Sequence, residues 1–214
     1  MKENIMRTIQ TTVYQFSELS DSARKTAISR YRDSYEDFSY YAETVIEDAA
    51  AIADIIGIDL RNTLTTRNDG TTLYAPTVFY SGFCSQGDGA CFEGSYSYKK
   101  GALKALIDYA PLDTELHRIA KQLQDLQRVN FYKLTAKMKH RGYYNHSGCM
   151  HVEINSSRTV SNDTEDELTH LMCDFADWIY SQLTIEYEYQ NSDDQITENF
   201  EANEYEFNEN GVIV

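Results

Sequence analysis

Apolar residues recur along this chain with two rhythms, and the helical one is the more frequent. Ala23, Ala27, Ile28 and Tyr31, with Leu19 ahead of them, share one face of a helix predicted over residues 21–35. Ser20 precedes it as an N-cap, and Asp21 lies at its positive end. Val45, Ala49, Ile52, Ala53 and Ile56 predict a second helix over 41–56, stopped by Gly57 in the C′ position. A short helix is predicted over 102–109, ending before Pro111. Asp113 or Thr114 caps the next, which runs to about Arg128 with Leu116, Ile119, Ala120, Leu123 and Leu126 inward. Asp163 opens a long helix through Phe175, Trp178 and Leu183 to about Glu188, and a last short helix spans about 194–203.

The alternating rhythm predicts strands. Residues 11–16 and the stretch through Tyr205 and Phe207 read as terminal strands. Residues 71–83 and 91–98 read as two long strands joined by Cys84-Ser85-Gln86-Gly87-Asp88-Gly89-Ala90, whose glycines give a tight reversal the backbone freedom it needs. Residues 131–140 and 149–155 form a second β pair around the loop 141–148, while 61–70 read as a polar loop. About six to eight strand segments, joined as hairpins and not as regular β-α-β units, predict the α+β class. The expected architecture is an antiparallel or mixed sheet covered by helices, with an acidic C-terminal helical region. At 214 residues one domain is expected, 1–214, with residues 158–214 packed on the body as an acidic flank.

Charge changes this picture most. Residues 159–214 hold fifteen Asp and Glu and no Lys or Arg, whereas 1–158 balance to zero. Like charges gathered in one segment repel one another unless solvent or a partner relieves them. Such a flank suits a basic protein surface, and Glu165, Asp166, Glu167, Glu186, Glu188, Asp193 and Asp194 are the candidate partner-binding residues. The same charge argues against direct contact with nucleic-acid phosphates or an anionic membrane. No apolar run approaches the roughly 20 residues of a membrane span. Met1-Lys2-Glu3-Asn4-Ile5 leads into a polar stretch, not into the apolar core of a signal peptide. The expected compartment is the cytoplasm, with the four cysteines reduced. Seventeen tyrosines suit half-buried sheets or recognition surfaces.

Candidate chemistry is sparse. In the segment 79–94, Ser85, Gln86, Asp88 and Glu93 can present hydrogen-bonding groups to a small ligand, or the same residues can simply make a hairpin turn. Gly-Asp-Gly lacks the spacing of a phosphate loop. His140, His146, Cys149 and His151 lie on or beside one hairpin and are weak candidates for a metal site, though their spacing matches no standard zinc motif. Cys84 beside Ser85 belongs to no Cys-His signature, and no catalytic residue or cofactor is predicted.

Tyr14-Gln15-Phe16-Ser17-Glu18-Leu19-Ser20 with Ala23 and Ala27, Ser81-Gly82-Phe83-Cys84-Ser85-Gln86-Gly87-Asp88-Gly89-Ala90, and His140-Arg141-Gly142-Tyr143-Tyr144 stand out as motifs. The chain resembles uncharacterised bacteriophage-encoded proteins that carry these stretches, some of them labelled antitoxin-like. The resemblance implies a phage or mobile-element origin and no known reaction. Joined to the acidic flank, it predicts a binding protein that inhibits or modulates a host defence or regulatory protein by competing for a basic, nucleic-acid-binding surface. The alternative is a nucleotide-like ligand site, binding or enzymatic, between Ser85 and Glu93.

Overall fold

A computed structural model describes residues 10–34, 39–67, 70–156 and 159–214. The chain divides into two compact units, Ser39–Glu186 and a smaller one made of Met1–Phe38 and Tyr187–Val214. The fold is α+β, with six α-helices among the described residues and every strand pairing antiparallel.

The larger unit starts with α2 (Ser39–Ile56), which follows α1 (Asp21–Ser34) of the smaller unit. Ala49, Ile52, Ala53 and Ile56 are buried, and Gly57 ends the helix at φ +89°, as its C′ position requires. Seven strands follow in two groups: β2 (Ile58–Leu60), β3 (Asn62–Thr66), β4 (Thr72–Pro76), β5 (Val78–Ser81), β6 (Gly89–Phe92) and β7 (Gly94–Ser97), then β8 (Thr135–His140) after two helices. Those helices are α3 (Ala102–Tyr109) and α4 (Thr114–Val129); β9 (Met150–Asn155) and α5 (Asn162–Gln190) follow, the last turn of α5 from Tyr187 onward belonging to the smaller unit. A four-stranded sheet has the order β2-β7-β8-β9. One of its faces is buried through Ile58, Leu60, Tyr96, Ala136, Met138 and Met150. The other presents Asp59, Ser95, Lys137, Lys139, His151 and Glu153 to solvent, the alternation expected of a sheet covered on one side.

Three residues between strands create the unit's distinctive feature. Arg61 separates β2 from β3, Thr77 separates β4 from β5, and Glu93 separates β6 from β7. Arg61 N donates to Glu93 O (2.8 Å), Glu93 N to Thr77 O (3.0 Å) and Thr77 N to Arg61 O (2.7 Å), closing a ring of three backbone hydrogen bonds. Three antiparallel ribbons radiate from it: β3–β4 and β5–β6, each two-stranded, and β2–β7, which continues into the four-stranded sheet. The expected long strands over 71–83 and 91–98 are therefore each broken in the middle, because their halves pair with different partners. Residues 61–70, expected as a loop, contain β3, whose polar residues face water on a two-stranded ribbon.

Helix α4 begins where Asp113 accepts a hydrogen bond from Leu116 N (2.9 Å). The second oxygen of that carboxylate accepts from Trp178 Nε1 (2.8 Å), so one N-cap also anchors α5, where Trp178 is buried and stacked on Phe175. At the other end of α4 the buried amide of Gln127 accepts from Leu134 N (3.2 Å) and donates to Leu134 O (2.8 Å). This staple holds a turn with Phe131 and Tyr132 at φ +57° and +59°, in place of the expected start of a strand at residue 131.

In the smaller unit β1 (Tyr14–Gln15) pairs with β10 (Glu206–Phe207). The strand expected over 11–16 is cut short because Phe16 opens a 3-10 turn and enters the core. α1 (Asp21–Ser34) and α6 (Asp193–Ala202) supply Ala23, Ala27, Ile196 and Phe200 to a cluster with Phe16, Leu19 and Phe207. The expected last residue of α1, Tyr35, and the opening residues 1–5 lie outside the described residues.

Candidate functional site

The two central sequence motifs meet in one lobe of the larger unit. The β5–β6 hairpin reverses through residues 82–88, with Gly87 at φ +96°. Asp88 turns its carboxylate back onto the loop and accepts from Cys84 N (3.0 Å) and Ser85 N (2.5 Å). It therefore builds the turn. The loop after β8 lies against this hairpin. Asn145 Nδ2 donates to Tyr80 O (3.1 Å), and the His140 ring packs on Phe79 at 4.6 Å. Gly89 has no room for a side chain, because a Cβ there would stand 2.7 Å from His146 Cα. Tyr180 of α5 donates its hydroxyl to Gly82 O (3.2 Å) and stacks on Phe83.

This lobe does not bring the four ligand candidates together. Ser85 and Gln86 are exposed on the turn, and Asp88 is used by it. Glu93 sits at the far end of β6, paired with Arg61 Nη1 (2.7 Å) and accepting from His140 N (3.3 Å). The metal candidates do not assemble either. His146 Nε2 lies 3.5 Å from Cys149 Sγ, His140 Nε2 is 2.9 Å from Tyr144 O, and His151 is exposed opposite Lys139. Among the described residues no group of three or more His, Cys, Asp or Glu could hold a metal ion. All four cysteines are free thiols. Burial, with Cys149 and Glu93 adding, pushes the Cys91 thiol up to about 12. Burial, with Asp177 and Asp174 adding, pushes Cys173 up to about 11.

The acidic residues make the more defined surface. Asp163, Asp166, Glu167, His170 and Asp174 fall on one side of α5 and line an open groove of about 450 Å³ with Arg118 and Gln122 of α4. Arg118 is the groove's cation, and it is already held by Glu115 (2.5 Å), Asp174 (2.6 Å) and Gln122. Its guanidinium holds the Glu115 carboxyl below the ordinary value. Among the described residues Asp163, Glu165, Asp166 and Glu167 are exposed and make no ion pair, a placement that the positive end of the α5 dipole favours. Of the other partner candidates, Glu186 is half-buried, while Glu188, Asp193 and Asp194 are exposed in the smaller unit, with Asp193 bonded to Arg32 (2.5 Å). The expected single acidic flank is thus shared between two units. Asp163 and Asp174, three helical turns apart, were readable as groove residues from the period of α5. Arg118 was not, since its place beside Asp174 is set by packing across 56 residues.

No helix among the described residues is long and apolar enough to cross a membrane. Residues 41–193 match the model of a family described as a domain of unknown function, DUF8835, a span that nearly coincides with the larger unit. No curated protein and no solved structure gives a significant match. With 41–193 covering well over half of its 214 residues, the chain belongs to the DUF8835 family.

Proposed function

We propose that this chain acts by binding, as a phage-encoded acidic protein whose α5 face meets the basic surface of a host defence or regulatory protein. The observation that supports this is the row of carboxylates on α5. Asp163, Asp166, Glu167 and Asp174 are spread along about 17 Å of helix axis in a concave groove, at the rise of 1.5 Å per residue. Asp174 is already paired with Arg118, so the charges left free among the described residues are Asp163, Asp166 and Glu167. They are gathered within about 6 Å of axis, a local spacing comparable to the charge about every 3.4 Å along one nucleic-acid strand. A basic groove that normally holds phosphates would take this helix in their place, steered by long-range attraction and weakened by salt. The phage origin rests on the resemblance carried by the 81–90 and 140–144 motifs.

The test is an affinity capture from host lysate at low and at high salt. Beside it runs a variant combining Asp163→Asn, Glu165→Gln, Asp166→Asn and Glu167→Gln. A basic, nucleic-acid-binding protein held at low salt, released at high salt and not held by the variant supports the proposal. Equal retention by the variant sinks it.

A further inference from the structure

The larger unit has a second concave feature, between α2 and the β3–β4 ribbon. Ala42 and Ile46 of α2 face Leu73, Ala75 and Val78 across a cavity of about 240 Å³. The ribbon is tied at both ends. At its base, Arg61 and Thr77 are held in the three-membered backbone ring. Just beyond β3, Arg67 reaches back to α2 and grips Glu43 with two bonds, Nε to Oε1 (2.9 Å) and Nη2 to Oε2 (2.6 Å). Small side chains at Ala42 and Ala75 leave the space between these pins empty. The lining is mostly apolar, so covering it with an apolar side chain removes that surface from water, which is favourable.

Size and charge specify the occupant. Pockets for drug-sized ligands and cofactors run from roughly 300 to 1,000 Å³; this one suits a single large side chain. At its rim Glu43 is taken by Arg67, whereas Glu47, one turn along α2, is exposed and makes no hydrogen bond or ion pair among the described residues. Tyr74, 74% exposed, borders the pocket on the ribbon side. We infer that this pocket anchors one aromatic or aliphatic side chain of a basic partner protein, with Glu47 pairing to a Lys or Arg beside that side chain. The inference deepens the binding function proposed above and takes the partner's basic character from it.

Short peptides test it without the partner. The full chain, labelled with nitrogen-15, is titrated with N-acetyl-Lys-Phe-Lys-amide, and with the Glu-Phe-Glu and Lys-Ser-Lys counterparts. The expected result is that the amides of Ile46, Glu47, Leu73 and Ala75 shift with Lys-Phe-Lys and not with the other two. Glu47→Lys, at an exposed position that leaves the fold alone, should turn the preference toward Glu-Phe-Glu. Shifts equal for Lys-Phe-Lys and Lys-Ser-Lys, or an unchanged preference in Glu47→Lys, overturn the inference. So does the absence of shifts at these four amides. If Lys-Phe-Lys instead shifts the amides from Asp163 to Asp174, the pocket inference fails while the acidic-face proposal stands. If the pocket responds as expected but the α5-neutralised variant still captures the lysate protein, the acidic-face proposal fails and the pocket stands.

Discussion

Residues 159–186 carry seven carboxylates and residues 187–214 carry eight, with no Lys or Arg in either stretch, yet the two halves are held differently. In the larger unit four of the seven, Asp163, Asp166, Glu167 and Asp174, line a groove, and the groove's cation is already engaged by three side chains. In the smaller unit the carboxylates of α6 stand on a ten-residue helix whose start is tied to α1, where Arg32 bonds both Asn191 O (2.9 Å) and Asp193. α1 brings Arg24, Lys25 and Arg30 into the same unit. Charge count does not distinguish the halves. What does is whether the carboxylates converge on a concavity, where a partner can displace their water, or diverge from a convex helix.

The largest test of this contrast is structural. Phe200→Ala removes the centre of the small aromatic cluster and should cost about 3–5 kcal/mol, as should Trp178→Ala in the larger unit. Hydrogen exchange should show Phe200→Ala exposing amides in α1 and α6 while residues 39–186 stay protected. Loss of protection throughout would break the division into two units. Next in size is the functional contrast. Neutralising Asp163, Glu165, Asp166 and Glu167 together should weaken partner binding by roughly fourfold to several hundredfold, at about 0.2–1 kcal/mol per charge. Neutralising Glu188, Asp194, Glu198 and Glu201 should change it little; equal losses by surface plasmon resonance would erase the distinction.

A smaller effect is expected from Arg118→Gln. The cost should not exceed about 1 kcal/mol, because the ion pairs are partly exposed. Arg118 lowers the Glu115 carboxyl, so that stabilisation is complete above the unfolded-chain value near roughly 4.3 and is lost as pH falls through the lowered folded-state value. The stability gap between the two proteins should therefore close on acidification, as urea titrations at a series of pH values would show. The variant's groove also gains net negative charge, so binding to a basic partner should tighten. The smallest effect concerns Cys173. Asp174→Asn with Asp177→Asn should let its thiol ionise at a pH somewhat below about 11 while keeping it above an ordinary thiol, because burial is the larger cause. Alkylation rates followed by mass spectrometry against pH would report this.

The helices were readable because each couples a 3.6-residue apolar period to a local cap: Ser20 before α1, Gly57 after α2, Asp113 before α4. The turn role of Asp88 was equally local, since its bonds reach only three and four residues back. What the sequence concealed depends on distant partners. Thr77 and Glu93 look like mid-strand residues, and only the ring with Arg61 makes them strand breaks. β3 carries Asn62, Thr63, Thr65 and Thr66, so it has no buried face to give it an alternating signature. Glu93 looked like a ligand residue until Arg61 and the His140 amide, 32 and 47 residues away, claimed its carboxylate. Phe131 and Tyr132 have strong strand preferences that the buried Gln127 overrides.

Arg61, Thr77 and Glu93 lie sixteen residues apart in sequence. Hairpins β3–β4 and β5–β6 can each form from nearby residues, but the third ribbon must close a loop of more than thirty residues before β2 finds β7. The ring therefore cannot be assembled from any two of the ribbons, and its third hydrogen bond completes the other two. A folding chain should reach it late, after the separate hairpins, and lose it in one step on unfolding. In a native-state exchange experiment the amides of Arg61, Thr77 and Glu93 should open together as one cooperative element.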